Sequence, residues 1–95
     1  MRIEQEIDDL IRKSGASYRQ WYVGVAIHPR EQLFNGHNVD EKRGLWIYRD
    51  AYSEIEARRI EAFFLKKNCQ GGPVRKDSSR HIYAYKMTRE TLGRS

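Results

Sequence analysis

Three candidates for moving a proton or meeting a phosphate stand out in one stretch, "WYVGVAIHPREQLFNGHNV", from Trp21 to Val39. Tyr22 offers a phenol, Arg30 a guanidinium, and His37 an imidazole that changes charge near neutral pH. Glu61 and a second phenol, Tyr83, come later in the chain. Each also has an ordinary use. Tyrosines pack half-buried in strands, a histidine just past a glycine can cap a helix end, and a helical glutamate forms surface ion pairs. Other chemistries lack their pattern. His28, His37 and His81 with Cys69 do not have the spacing of a zinc site. "NCQGGP" has two glycines but no lysine-serine pair of a phosphate loop. A lone cysteine with scattered histidines makes no thiol enzyme.

The elements that must carry these residues follow from periodicity. Ile3, Ile7, Leu10 and Ile11 lie on one stripe of an amphipathic helix. Gly15 stops it after Arg12 and Lys13, cations that suit a helix C-terminus. Tyr18 to Ala26 reads as a strand. Trp21, Val23 and Val25 share one face, and Tyr22, Gly24 and Ala26 the other. That second face is small apart from Tyr22, which lets a helix or ligand approach the backbone. Pro29 suits the first helical position. The spacing predicts a short helix over 30–35, Leu33 and Phe34 inward, with Gly36 as its left-handed stop. "DEKRG" is a charged turn, and 45–48 is a second strand.

Ser53 and Glu56 form an S-x-x-E capping box, which predicts a helix from residue 54 to about Lys67. Ala57, Ile60, Phe63 and Phe64 give its apolar positions. "VRKDSS" is a basic loop, 82–87 a last strand with Tyr83 and Tyr85 on one face, and the chain from about 88 onward frays. The expected fold is therefore small α/β (α+β), a three-stranded sheet flanked by three helices in the order α-β-α-β-α-β. Strand pairing stays open between parallel and antiparallel.

At 95 residues, with 39% apolar and 33% charged, the chain supports one core, so residues 1–95 form a single domain under a highly charged surface. No apolar run is long enough to cross a bilayer, "MRIEQEIDDL" is no signal peptide, and Cys69 has no disulfide partner. These features point to a reducing cytoplasm and no membrane partner. The net charge of +5 is lopsided. Residues 1–57 hold 8 Lys+Arg against 10 Asp+Glu; residues 58–95 hold 10 against 3. A basic half of this kind binds phosphate backbones or serves solubility alone. Arg58, Arg75, Lys76 and Arg80 are its candidate nucleic-acid contacts.

Tyr22-Val23-Gly24, then Pro29, Leu33 and His37, resembles the second half of the GIY-YIG nuclease signature. Ala57 and Glu61 stand where that family carries a helical alanine and, four residues on, a metal-binding glutamate. The resemblance covers roughly residues 21–66. Gln32 stands where the family has arginine, with Arg30 two residues earlier. The family's preceding strand is missing, and Ile82-Tyr83 of the last strand could replace it in a circularly permuted arrangement. That arrangement predicts that Tyr22, Tyr83 and Glu61 cluster. The chain also resembles small uncharacterised bacterial proteins with a "HNV…W-I-Y…E-x-F…Y-A-Y-K" pattern, which implies no activity.

The resemblance implies a divalent-metal nuclease in which Glu61 holds Mg²⁺ with waters completing the shell. Tyr22 or Tyr83 would orient or deprotonate a water, His37 would shuttle a proton, and Arg30 or Arg58 would neutralise the phosphate. Two other classes remain open: a catalytically inactive, basic nucleic-acid-binding module, which Gln32 favours, and an accessory protein that acts as a homodimer or larger homo-oligomer.

Overall fold

The computed structural model describes residues 2–72 and 79–91. Six elements follow in chain order: helix α1 (Ile3–Ser14), strand β1 (Trp21–Ala26), the short helix α2 (Pro29–Glu31), strand β2 (Trp46–Asp50), helix α3 (Glu54–Lys66) and strand β3 (His81–Lys86). The class is α+β, with a three-stranded antiparallel sheet of order β1-β3-β2. The last strand in sequence thus lies in the middle, antiparallel to both neighbours.

Local signals account for most boundaries. Gly15 ends α1 at φ 74°, its N–H donating to the Arg12 carbonyl at 3.2 Å; a left-handed residue costs glycine no Cβ clash. The Ser53 hydroxyl caps α3 by accepting from the Glu56 N–H at 3.1 Å. Past α3, Asn68 takes the left-handed conformation at φ 81° and returns the chain so that buried Cys69 donates its N–H to the Phe64 carbonyl.

Several boundaries differ from the sequence expectation. Residues Tyr18–Gln20 form one 3₁₀ turn rather than the start of β1. Ser17 and Gln20 make a reciprocal capping box there, and that local satisfaction outweighs the β-propensity of Tyr18. The helix expected over 30–35 is one α turn followed by a single π turn over Gln32–Gly36, closed by His37 N–H to the Gln32 carbonyl at 2.8 Å. Gly36 is not its left-handed stop; Asn38 adopts that conformation, at φ 58°. Residues Thr88–Thr91, where fraying was expected, are held by a hydrogen-bonded turn. The Thr88 N–H donates to Thr91 Oγ1 at 2.7 Å, and Asn38 Nδ2 donates to the Glu90 carbonyl at 3.3 Å.

The period-two alternation of β1 divides the molecule into two cores. Trp21, Val23 and Val25 join Ile47, Ile82 and Ala84 on one sheet face, beneath α1 and α3. The other face forms three cross-strand rows: Tyr22, Tyr85 and Trp46; Gly24, Tyr83 and Tyr48; Ala26, His81 and Asp50. The segment carrying α2, Leu33 and Val39 covers the first two rows. Gln70 shields the outer edge of β1, accepting from the Val23 N–H at 2.9 Å and donating to the Trp21 carbonyl at 2.8 Å.

Candidate functional site

The second sheet face brings together three of the five residues expected to do chemistry, Tyr22, His37 and Tyr83. Tyr22 points to that face because β1 alternates, and Tyr83 because its partner across β1 is Gly24. A Cβ at Gly24 would lie 2.6 Å from the Tyr83 hydroxyl oxygen and 2.7 Å from Cζ. The small face of β1 is thus the floor on which the Tyr83 ring rests. The π turn then delivers His37 over these rings. Its imidazole lies with ring centroids 4.6 Å from Tyr22, 5.7 Å from Tyr83 and 5.0 Å from Tyr85.

His37 Nε2 is 2.9 Å from the Tyr83 hydroxyl, and Nδ1 is 2.9 Å from the Tyr85 hydroxyl. A neutral imidazole has one N–H donor and one bare acceptor nitrogen. One tyrosine therefore accepts from the ring and the other donates to it, so both nitrogens are satisfied at once. His37, Tyr83 and Tyr85 are all at most 4% exposed. Burial holds the Tyr85 hydroxyl protonated well above the usual tyrosine range. This is a closed hydrogen-bonded pin that joins the covering segment to the central strand. Tyr22 stacks on Tyr85 at 5.2 Å, and its hydroxyl abuts Gly72, where a Cβ would overlap it.

Glu61 is not with them. It lies on α3, which packs on the first sheet face, so the sheet separates it from Tyr22, His37 and Tyr83. Half-burial raises its carboxyl affinity for a proton, and Arg58 only partly opposes this. Among the described residues no group of three metal-ligating side chains assembles. A single carboxylate beside a guanidinium is a sparse donor set for Mg²⁺, which would draw the rest of its shell from waters.

Arg30 extends away from the pin. It bonds Glu41 Oε2 at 2.6 Å and lies 5.1 Å over the Phe34 ring. Arg58 pairs with Glu54 at 3.2 Å within α3. Arg80 pairs with Asp50 at 3.3 Å at the end of the sheet. Arg75 and Lys76 lie outside the described residues.

Arg30 meets neighbours that residue-type reasoning passed over. The third cross-strand row, with Tyr48 beside it, opens into a cleft of about 350 Å³ whose lining includes Ile27, His28, Arg30, Tyr48 and His81. The alternation of "HIYAYK" already places His81 on the face of Tyr83 and Tyr85. What spacing alone does not supply is Tyr48, brought alongside by β2. Comparisons with protein-family models, with curated proteins and with solved structures found no match to this chain.

Proposed function

We propose that this chain is a catalytically silent nucleic-acid-binding module. The observation that carries this reading is the division of the chemistry-bearing residues by the sheet. Tyr22, His37 and Tyr83 are buried together on one face, and Glu61 lies behind the other. A cation held at Glu61 would have no route to the phenols or the imidazole. The pin has no free nitrogen on His37 with which to serve a substrate.

Binding is supported by charge and by the open end of the second face. The guanidinium-bearing side chains of Arg30 and Arg80 are each more than half exposed, 53% and 58%. Their ion pairs with Glu41 and Asp50 are of the surface kind, weak enough for a phosphate to replace. The excess positive charge of residues 58–95 adds attraction for a polyanion.

The test is fluorescence anisotropy with single-stranded DNA and RNA across a salt series, with cleavage followed in Mg²⁺ or Mn²⁺. The expected result is binding that weakens steeply with salt, intact nucleic acid, and no change in Glu61→Ala. Metal-dependent cleavage lost in Glu61→Ala would establish a nuclease instead. No retention at low salt would remove nucleic acid as the partner.

A further inference from the structure

We propose that two copies of this chain pair through the outer edge of β2, joining their sheets into one antiparallel sheet; this goes beyond the nucleic-acid reading and does not rest on it. The order β1-β3-β2 leaves β2 with one strand neighbour. The Leu45 carbonyl accepts from the Lys86 N–H at 2.9 Å, and the Ala51 N–H donates to the Arg80 carbonyl at 2.8 Å. Both bonds continue the register of β2 on β3, so Leu45, Ile47, Arg49 and Ala51 turn their backbone groups toward β3. Trp46, Tyr48 and Asp50 turn theirs outward, where no strand lies among the described residues. The opposite edge of the sheet is covered by Gln70, as described above. Of the usual guards on an open edge, β2 carries no lysine, no proline and no break in register. Its one cover is Arg49 Nη1, which donates to the Tyr48 carbonyl at 2.8 Å in an exposed contact that an aligned N–H can replace.

The side chains at the two ends of this edge select a second copy as the occupant. Leu45 is exposed just before β2, and beyond its far end Tyr52 and Ile55 are 82% and 84% exposed. Tyr52 also holds φ 66°, a left-handed backbone that is costly for a bulky residue. A two-fold axis through Tyr48, perpendicular to the sheet, reverses the second strand. It brings Leu45 of each copy opposite Ala51 of the other, beside the exposed Tyr52–Ile55 corner. Tyr48 then faces its own copy, Trp46 faces Asp50, and Ile47 faces Arg49, whose methylenes can cover it. The three outward-turned residues of each strand exchange about six backbone bonds in all. Moving the axis to Arg49 would oppose two guanidinium groups, and moving it to Ile47 would set Leu45 against Arg49. The axis keeps each sheet face on its own side, so α1 and α3 of both copies cover one continuous face.

The test is sedimentation equilibrium of the full chain from about 1 µM to about 1 mM, read together with amide hydrogen exchange. The expected result is a monomer–dimer equilibrium with a dissociation constant on the order of 10–100 µM, the strength of a small contact. The Tyr48 and Asp50 amides should exchange more slowly as concentration rises. Tyr48→Pro removes an outward N–H and no β2–β3 bond. It should associate at least about tenfold more weakly than Tyr48→Val, which keeps that N–H. Tyr52→Asn suits the left-handed backbone, so weaker association there, by about fivefold or more, cannot come from a lost fold. Leu65→Gln, beside Gly71 at the β1 edge, should leave association unchanged. If Tyr48→Pro does not fold, Tyr52→Asn and the exchange rates decide. A monomer at every concentration overturns the proposal and leaves the edge to a different chain. A dimer of equal strength in Tyr48→Pro and Tyr48→Val, or one without added protection at Tyr48, also overturns it. Weakening in Tyr48→Pro alone upholds the strand pairing and removes the apolar ends as what sets its register.

Discussion

The Tyr83 hydroxyl stands 2.9 Å from His37 Nε2, joining the central strand to a loop residue 46 positions earlier in the chain. With the matching bond from Tyr85 to Nδ1, it holds the covering segment to the sheet through two buried polar contacts. Removing the Tyr83 hydroxyl deletes one of the two buried tyrosine bonds to the His37 ring, which costs about 1–3 kcal/mol. In a domain of this size, that lowers the thermal midpoint by about 4–8 °C per kcal/mol. Tyr83→Phe is expected to show this loss. His37→Phe combined with Tyr83→Phe should cost less than the sum of the two single variants, because both partners of the bond are then gone. Additive losses would refute the coupling.

Gly24 is the floor for the Tyr83 ring. A methyl group there would meet the ring at 2.6–2.7 Å, and the buried ring has no open solvent into which to retreat. Gly24→Ala is expected to destabilise by about 1–3 kcal/mol, the range for overpacked cores. The comparison is Gly15→Ala, where nothing lies within 4 Å of the new methyl and only the φ of 74° is unfavourable. Urea unfolding midpoints measure both. Tyrosine exchange or near-ultraviolet dichroism should change for Gly24→Ala alone.

Burial pushes the Cys69 thiol up to about 11, from an ordinary value of 9.0. A group raised in the folded state contributes stability that is full below its unfolded value and is lost as pH rises. Stability should therefore fall above pH 9.0 and continue to fall through about 11. Tyr85, also raised, adds to the same alkaline loss. Thermal midpoints from pH 8 to 11 should decline less steeply in Cys69→Ala; identical slopes would exclude the thiol as a cause. Alkylation of Cys69 in the folded protein should be slow at the same pH at which the unfolded chain reacts freely.

Glu61 is raised by half-burial, so its ionised form is the disfavoured one in the fold. By the same sign, its contribution is present below its ordinary value of 4.5 and lost as pH rises above it. Glu61→Gln is expected to raise the thermal midpoint modestly at neutral pH and to change it less under acid. A carboxylate kept for metal binding would behave differently: Mg²⁺ would stabilise the wild type and leave Glu61→Gln unmoved. Equal midpoints with and without Mg²⁺ in both proteins are the expected outcome.

The sequence by itself determined what depends on near neighbours. The stripe Ile3, Ile7, Leu10 and Ile11 specified α1, with Ile7 and Ile11 buried. Gly15 and Ser53 specified a stop and a start, since each acts within one helical turn. The alternation of β1 specified its two faces, because successive side chains point oppositely whatever the strand pairs with. Arg75 and Lys76 were legible only as charge.

Only the tertiary structure decided how those faces are used. Placing β3 between β1 and β2 requires pairing across nearly the whole chain, a choice no local window contains. That choice put Tyr83 over Gly24, both tyrosine hydroxyls on His37, and His81 beside Tyr48 at the mouth of a cleft. It also decided against a shared site for Glu61 and Tyr83. Helical phase sets Glu61 next to Ile60, but the side of the sheet on which α3 packs is settled by burial of the β1 face carrying Trp21, Val23 and Val25, where Ile60 and Phe64 also pack, while Tyr22, Tyr83 and Tyr85 lie on the opposite side.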